Sequence, residues 1–479
     1  MRIAIWAALI VVAFATRLAH HAVLWVEEAY PMAAAMAIQR GAVLYGGIWF
    51  DKPPLFPLLY LLEGAQDGWW LRIWGALFVL FCAWITAELA ARFWGRVEEA
   101  VAAVLSVVFL TFGFPATVMA LTPDILVWPL QAGAVWAALS GRNAAAGAVA
   151  GLALWMNPKV VFLLPVCWMV ARQSGTEVPR GLKPTPHFVG TSTISFLAVH
   201  AVGLGALAVT GSLQGYLEQV WRWGALYSAD PLPLAEGLRR LLGWTGFHAG
   251  LIVGLIWFSL REQSRRALLL WTALALITVC FGLRFFPRYF FVALPALILC
   301  ASRGAALAPR PVHAVMAVLL LVPVARFGPG YIKMWMEGGQ QVSDLALFRD
   351  ARPAVRLIRN NSGPNDRLLV WGYRPEIYVL SGRPPGTQFL DSQPLTGVLA
   401  DRHLVTSKAS APELAARQRS RLQRHKPEWI VDGLGPLNPA LGIDRYPDMA
   451  EWFAGYSLVA STPATRVYRL TSKTSKSRP

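Results

Sequence analysis

Long apolar runs separated by short polar punctuation fill the first two thirds of the chain. They lie at 3–24, 71–91, 98–114, 122–140, 144–157, 159–171, 188–210, 246–260, 267–283, 289–302 and 311–328. A helix needs about 20 such residues to cross the hydrocarbon core of a bilayer. The pattern therefore predicts about eleven membrane spans, with 144–157 and 159–171 among the short ones. The first run is read as an uncleaved span rather than a signal peptide, because many further spans follow and the polar cluster just beyond it carries candidate functional residues. Between the first two runs lies a half-polar stretch, 25–70, with Trp, Tyr, Gly and Pro throughout. It is too irregular to span and too aromatic for a free loop, and predicts short helices at the membrane interface.

From about 330 the pattern becomes that of an ordinary soluble domain. Strand-like runs (LLVWG at 368–372, EWIVDG at 428–433, YSLVAS at 456–461, RVYRL at 466–470) alternate with helical stretches at 343–360 and 411–424. Strands alternating with helices predict a small α/β domain. The division expected is a transmembrane domain over 1–329, with its interfacial loop at 25–70, and a soluble α/β domain over 330–479. The closing KTSKSRP reads as a disordered end. No internal repeat of fixed period is present.

Composition sharpens the membrane reading. Of 479 residues, 56% are hydrophobic and only 15% charged, whereas a soluble protein carries roughly a quarter charged residues. The formal net charge of +17 does not fall in a soluble basic stripe of the kind that binds nucleic acid. It punctuates apolar runs, which suits anionic lipid headgroups and lipid phosphates. With the N-terminus inside, the inner loops hold Arg92 and Arg96, Arg142, Arg172, Arg180 and Lys183, Arg261, Arg265 and Arg266, and Arg303 and Arg310, as the positive-inside rule requires. Segments 25–70, 114–121, 211–245, 284–288 and everything after 329 then face outward. Cys82, Cys167, Cys280 and Cys300 sit within apolar runs without metal-ligand spacing, and read as buried small hydrophobes rather than a disulfide framework.

Ionisable residues near membrane depth are costly and mark function by default. Glu27 and Glu28 follow the first span, Asp51 and Lys52 stand in WFDKPPLFPLLY, and Asp124 opens the fourth span in ALTPDILVW. Lys159 lies in LWMNPKVV, and Arg284, Arg288 and Tyr289 in LRFFPRYFF. On the topology above, all of them fall on the same outer side. Each has an ordinary reading: acidic residues in a first helical turn, a helix start at Thr122-Pro123-Asp124, or cations reaching for headgroups. Together they form a set of carboxylates and cations at one leaflet. Two prolines directly after Asp51 and Lys52 fix the backbone that carries that pair.

At these residues the sequence resembles the C-type (GT-C) membrane glycosyltransferases, especially the protein O-mannosyltransferases and bacterial lipid A aminoarabinose transferases. The outer loop EEAYPMAAAMAIQRGAVLYGGIWFDKPPLFPLLY matches the family's acidic pair and D/E-K-P-P segment in order and spacing. Thr122-Pro123-Asp124, Asn157-Pro158-Lys159, Arg288-Tyr289-Phe290 and Pro295-Ala296-Leu297 match further family motifs, as do GYRPEIYVLSGRPP and RHKPEWIVDG in the tail. The likeness covers nearly the whole chain. The family's acidic pair usually begins with Asp; here it is Glu27, one methylene longer.

The resemblance implies an α-helical polytopic membrane protein with a C-terminal soluble α/β domain, in the bacterial inner membrane, its site and tail in the periplasm. It implies inverting transfer of a sugar from a polyprenyl-phosphate carrier to a hydroxyl of a protein, glycan or lipid acceptor, without nucleic acid. Glu27 is then the base, supported by Glu28. Lys52, Lys159 and Arg288, with Tyr289, bind the donor phosphate, and Asp51 and Asp124 orient the cations or share a divalent metal ion. The competing readings are a lipid or solute transporter, for which the chain lacks the expected inverted repeats, and a non-catalytic membrane assembly protein.

Overall fold

The computed structural model describes residues 2–174, 186–337 and 345–471. Arg180, Lys183, residues 343–344 of the helical stretch expected at 343–360, and the KTSKSRP end lie outside the described residues. Every apolar run carries a helix. The first five helices are α1 (Arg2–Leu18), α2 (Val26–Gln39), α3 (Leu55–Glu63), α4 (Trp69–Phe93) and α5 (Arg96–Thr111). Then come Trp128–Leu139, Asn143–Met156, Leu163–Ser174, Pro186–Val209, Ala249–Arg261, Arg266–Val279, Leu294–Leu307 and Arg310–Glu337. The positions agree with the sequence pattern, but the lengths do not. Among the described residues three helices are long and apolar enough to cross a membrane: Trp69–Phe93, Phe188–Val209 and Arg310–Glu337. Leu234–Phe247 and Ala249–Arg261 make a fourth if taken as one span bent by 77°. Several others are cut short by proline near their start (Pro129, Pro158, Pro287, Pro295), where the missing N–H cannot extend a helix backward. The chain is an integral, multi-pass, mostly helical membrane protein.

Small residues bring these helices together, as lipid gives no hydrophobic drive between them. A Cβ on Gly304 would fall 1.9 Å from the carbonyl oxygen of Gly254, so Leu294–Leu307 and Ala249–Arg261 meet backbone to backbone. Polar seams add direction. Trp128 Nε1 donates to Thr86 Oγ1 at 2.8 Å, and Trp271 Nε1 donates to Gln131 Oε1 at 3.0 Å. Arg303 bridges Glu98 and Glu262 at 2.7 Å each, and Arg92 pairs with Glu88 at 2.9 Å. Arg92 and Arg72 stand at opposite ends of α4, about 30 Å apart at helical rise. These basic connections thus gather far from the end that holds Glu28 and its neighbours.

The tail folds as its pattern predicts. Strands β1 (Leu368–Trp371), β2 (Trp429–Asp432), β3 (Tyr456–Ser461) and β4 (Arg466–Leu470) form one sheet in the order β1-β2-β4-β3. The first pair is parallel and the other two antiparallel. β1 and β2 are buried along their whole length, as strands covered on both faces must be. Helices Ala346–Asn361 and Pro412–Leu422 accompany it. Arg310–Glu337 runs straight through the division placed at 329/330.

The segment 25–70 does contain short helices, but α2 is buried inside protein rather than laid against lipid: Glu28 to Ala35 are all buried. It is clamped under the α/β domain. Trp49 N donates to Gln388 O at 2.7 Å, Arg40 to Gly382 O at 2.9 Å, and Tyr30 packs against Tyr373 at 5.6 Å between ring centroids. All four cysteines are free; Cys82, Cys167 and Cys300 are buried, whereas Cys280 is exposed at a helix end.

Candidate active site

Residues one apart on a helix point about 100° away from each other, and at the start of α2 this separates the acidic pair. Glu27 faces a cavity of about 500 Å³. Glu28 turns the other way and is fully buried. There Arg72 donates to both its oxygens, at 2.6 and 2.9 Å, and also to Val23 O at 3.0 Å. Arg17, likewise buried, donates to Val118 O at 2.6 Å and Met119 O at 2.5 Å. Glu28 is therefore a member of a buried ion pair that ties α2 to α4 and to the chain at Val23, and it does not line the cavity. Neither Arg72 nor Arg17 was picked out in the sequence; both sit inside apolar runs, where snorkelling is the ordinary reading.

Three carboxylate–cation pairs stand on the cavity wall. Glu27 accepts from Arg288 at 2.5 Å, Asp51 from Lys52 at 2.8 Å, and Asp124 from Lys159 at 2.8 Å. Each pair is built differently. Asp51 and Lys52 lie in the irregular chain ahead of α3, held by Tyr45 Oη donating to Lys52 O at 2.6 Å and by Phe50 N donating to Gln219 Oε1 at 2.8 Å. Asp124 opens a single turn, Pro123–Leu126. Asn157 caps the following Pro158–Val160 turn and bridges the pair: its Oδ1 accepts from Lys159 N at 3.1 Å while its Nδ2 donates to Asp124 Oδ1 at 2.9 Å. Arg288 and Tyr289 share the tight turn Pro287–Val292, and the Lys159 ammonium sits 3.2 Å from the centre of the Tyr289 ring.

Accessibility ranks the cations. The Lys52 side chain is 42% exposed, Arg288 29% and Lys159 24%. Asp51 Oδ1 is buried with no hydrogen-bond partner among the described residues. No group of three His, Cys, Asp or Glu side chains suited to a metal ion occurs among the described residues. Asp51 and Asp124, the two expected to share one, are each paired with a lysine.

The α/β domain contributes to the same wall. Tyr373, Gln393, Ala400 and Asp401 line it, together with Tyr227 and Trp221 of the helical turns at 217–229. Asp401 pairs with Arg284, which is buried and also donates to Tyr227 O at 3.0 Å and Asp230 O at 2.9 Å. Trp223 packs edge-on against Trp49 within the domain core. Below the wall, burial and the nearby Asp51 push the Asp391 carboxyl up to about 7. Asp391 and Asp401 carried no motif in the sequence; only tertiary packing brings them to the site.

No family model matches the chain, nor does any curated protein. Solved structures do. ArnT from Cupriavidus metallidurans bound to undecaprenyl phosphate aligns with a TM-score of 0.64 at 14% identity, over 98% of this chain and 98% of that one. The apo state of the same protein gives 0.61 at 14% identity, over 97% of each. At this identity the likeness is one of fold. Over nearly its whole length, from the first helix to the C-terminal sheet, the chain shares its fold with these two ArnT structures.

Proposed function

We propose that the chain is a glycosyltransferase that moves a sugar from a polyprenyl-phosphate carrier to an acceptor hydroxyl at the outer, periplasmic face of a bacterial inner membrane, with inversion. The observation that carries this reading is the cavity wall with its three carboxylate–cation pairs, Glu27–Arg288, Asp51–Lys52 and Asp124–Lys159. Its fold neighbour was crystallised bound to undecaprenyl phosphate, which supports a lipid-phosphate ligand.

The chemistry follows from the charges. An acceptor hydroxyl loses its proton as it attacks, and Glu27 takes it. Such general base catalysis contributes about 10²–10⁴ in rate. Arg288 holds the Glu27 carboxylate in place, so the base is oriented before substrate arrives. The leaving group is a lipid phosphate whose charge grows as the anomeric bond breaks. Preorganised cations stabilise that charge most where water is excluded. Lys52, the most open of the three, makes the first contact. Lys159 is held between Asp124 and the Tyr289 face, and Arg288 closes the cluster. Asp51 and Asp124 orient their lysines. A divalent ion, if one binds, would take these same two carboxylates and add positive charge at the phosphate.

In this reading all eleven helical runs cross or enter the bilayer, the short ones as broken or tilted segments, and the α/β domain, described over 345–471, forms the outer cap over the cavity. The deciding experiment offers radiolabelled polyprenyl-phosphate sugars to the purified protein with membrane extract as acceptor. Transfer by wild type that is lost in Glu27→Gln supports the assignment; equal transfer by both sinks it.

A further inference from the structure

We infer that a second cavity, behind the turn that carries Arg288 and Tyr289, is a binding site for an anionic phospholipid of the bilayer. It has a volume of about 500 Å³, and no residue lines both it and the first cavity. Its wall is aromatic: Phe109, Phe114, Trp244, Phe247, Phe286 and Phe327. Such a surface has no use for a free phosphate and suits an acyl chain.

Thr117 and His248 also line it, and its charged groups are three arginines, Arg239, Arg240 and Arg326, with no carboxylate on the wall. Glu236 nearby is shared, accepting from Arg239 at 2.8 and 2.9 Å and from Arg240 at 2.7 Å. Positive charge is therefore in surplus. Arg326 has no carboxylate partner among the described residues; its guanidinium lies 5.6 Å from the Phe327 ring centre and 5.9 Å from that of Phe114. A guanidinium held on aromatic faces keeps its fork free for a phosphate. Arg326 belongs to Arg310–Glu337, whose Val315, Val318, Leu321 and Val322 are exposed, so the rim is continuous with a lipid-facing surface. One end apolar, one end cationic and open toward lipid: that is the complement of a phosphodiester lipid.

The site bears on the first cavity through one shared wall. In the tight turn 287–292, successive side chains diverge by about 120°. Pro287 and Phe291 face the second cavity while Arg288 and Tyr289 face the first. A lipid seated behind the turn thus packs against the backbone that positions both.

The full chain is reconstituted with phosphatidylglycerol or with phosphatidylcholine of the same acyl chains, and the lipid retained through gentle detergent exchange is weighed by native mass spectrometry. Wild type should retain phosphatidylglycerol in clear preference. Arg326→Gln should weaken that preference about fivefold, the scale of one arginine near an anionic headgroup. Gly243 has open space where a Cβ would stand, so Gly243→Phe should plug the apolar part and abolish retention while leaving every charge in place. It also carries the test should Arg326→Gln fold poorly. Equal retention of the two lipids by wild type, or unaltered retention in Gly243→Phe, overturns the assignment. Displacement of phosphatidylglycerol by stoichiometric polyprenyl phosphate would assign the cavity to the carrier lipid and overturn it too.

Discussion

Glu27 accepts a hydrogen bond from Arg288 at 2.5 Å, joining residues 261 apart in the chain, while Glu28, its neighbour in sequence, is spent entirely on Arg72. The acidic pair is thus two residues with two duties. One faces the cavity with its cation, and the other ties the bundle together beneath it.

Replacing Glu27 removes the proposed base and leaves Arg288 without its carboxylate. Glu27→Gln should lower transfer by about 10²–10⁴, mostly in kcat, because the donor contacts through Lys52 and Lys159 remain. Glu27→Asp should recover part of it, since the carboxylate is kept and only its reach shortens. Steady-state transfer kinetics with both variants check this; equal rates for the two would count against a base at this position.

Glu28→Gln should behave as a stability variant. It leaves Arg72 charged in a buried site, and breaking such a pair costs about 3–5 kcal/mol. Thermal unfolding in detergent should show a large fall in Tm, whereas the fraction that remains folded should turn over with a near-normal kcat. A normal Tm with lost turnover would reverse the roles given to the acidic pair.

Lys52 and Lys159 should differ in kind. Lys52 is the more open, at 42% against 24% exposure, so Lys52→Ala should chiefly weaken binding of polyprenyl phosphate. Lys159 is prepositioned by Asp124, Asn157 and Tyr289, and Lys159→Ala should cost about 10²–10³ in kcat, as loss of a preorganised donor does. Isothermal titration with polyprenyl phosphate beside turnover measurements separates the two effects.

Asp391 should give the α/β domain a pH-dependent stability. Its carboxyl is raised from 3.8 to about 7 by burial and by Asp51, with Lys52 acting against this. A raised acid stabilises the fold fully below the unfolded value and loses that contribution as pH climbs through the folded one. Stability should therefore fall between about pH 4 and 7, by roughly 4 kcal/mol at most for a three-unit shift. Asp391→Asn keeps an acceptor for Gln393 N, which now bonds Oδ1 at 2.7 Å, and should flatten this slope. Melting curves at pH 5 and pH 8 test it: the variant should gain on wild type only at the higher pH.

Gly304→Ala should separate the helices Leu294–Leu307 and Ala249–Arg261. The added carbon lands on the Gly254 backbone at 1.9 Å, which a flexible side chain cannot relieve. A loss of about 1–3 kcal/mol is the scale for overpacking, read as a fall in Tm. An unchanged Tm would mean that the two helices are not in close contact.

Much of this protein is legible in its sequence because the signals are local. Apolar run length placed a helix in each long run, and short strand-like runs between helical stretches placed all four strands within about one residue. The order of EE, DKPP, TPD, NPK and RYF along the chain predicts one cluster of carboxylates and cations. What the sequence does not carry is direction. Glu27 and Glu28 are indistinguishable in one dimension, and only the 100° step of the helix, together with Arg72 waiting on one side, divides them. Helix lengths were likewise decided by packing: with Gln131 bonded to Trp271 and to Val292 O, short broken segments keep buried polar partners that an isolated apolar run would lack. Asp391 and Asp401 acquire meaning only where the α/β domain packs on the cavity, because burial and long-range charge pairing belong to the assembled fold and to no stretch of sequence.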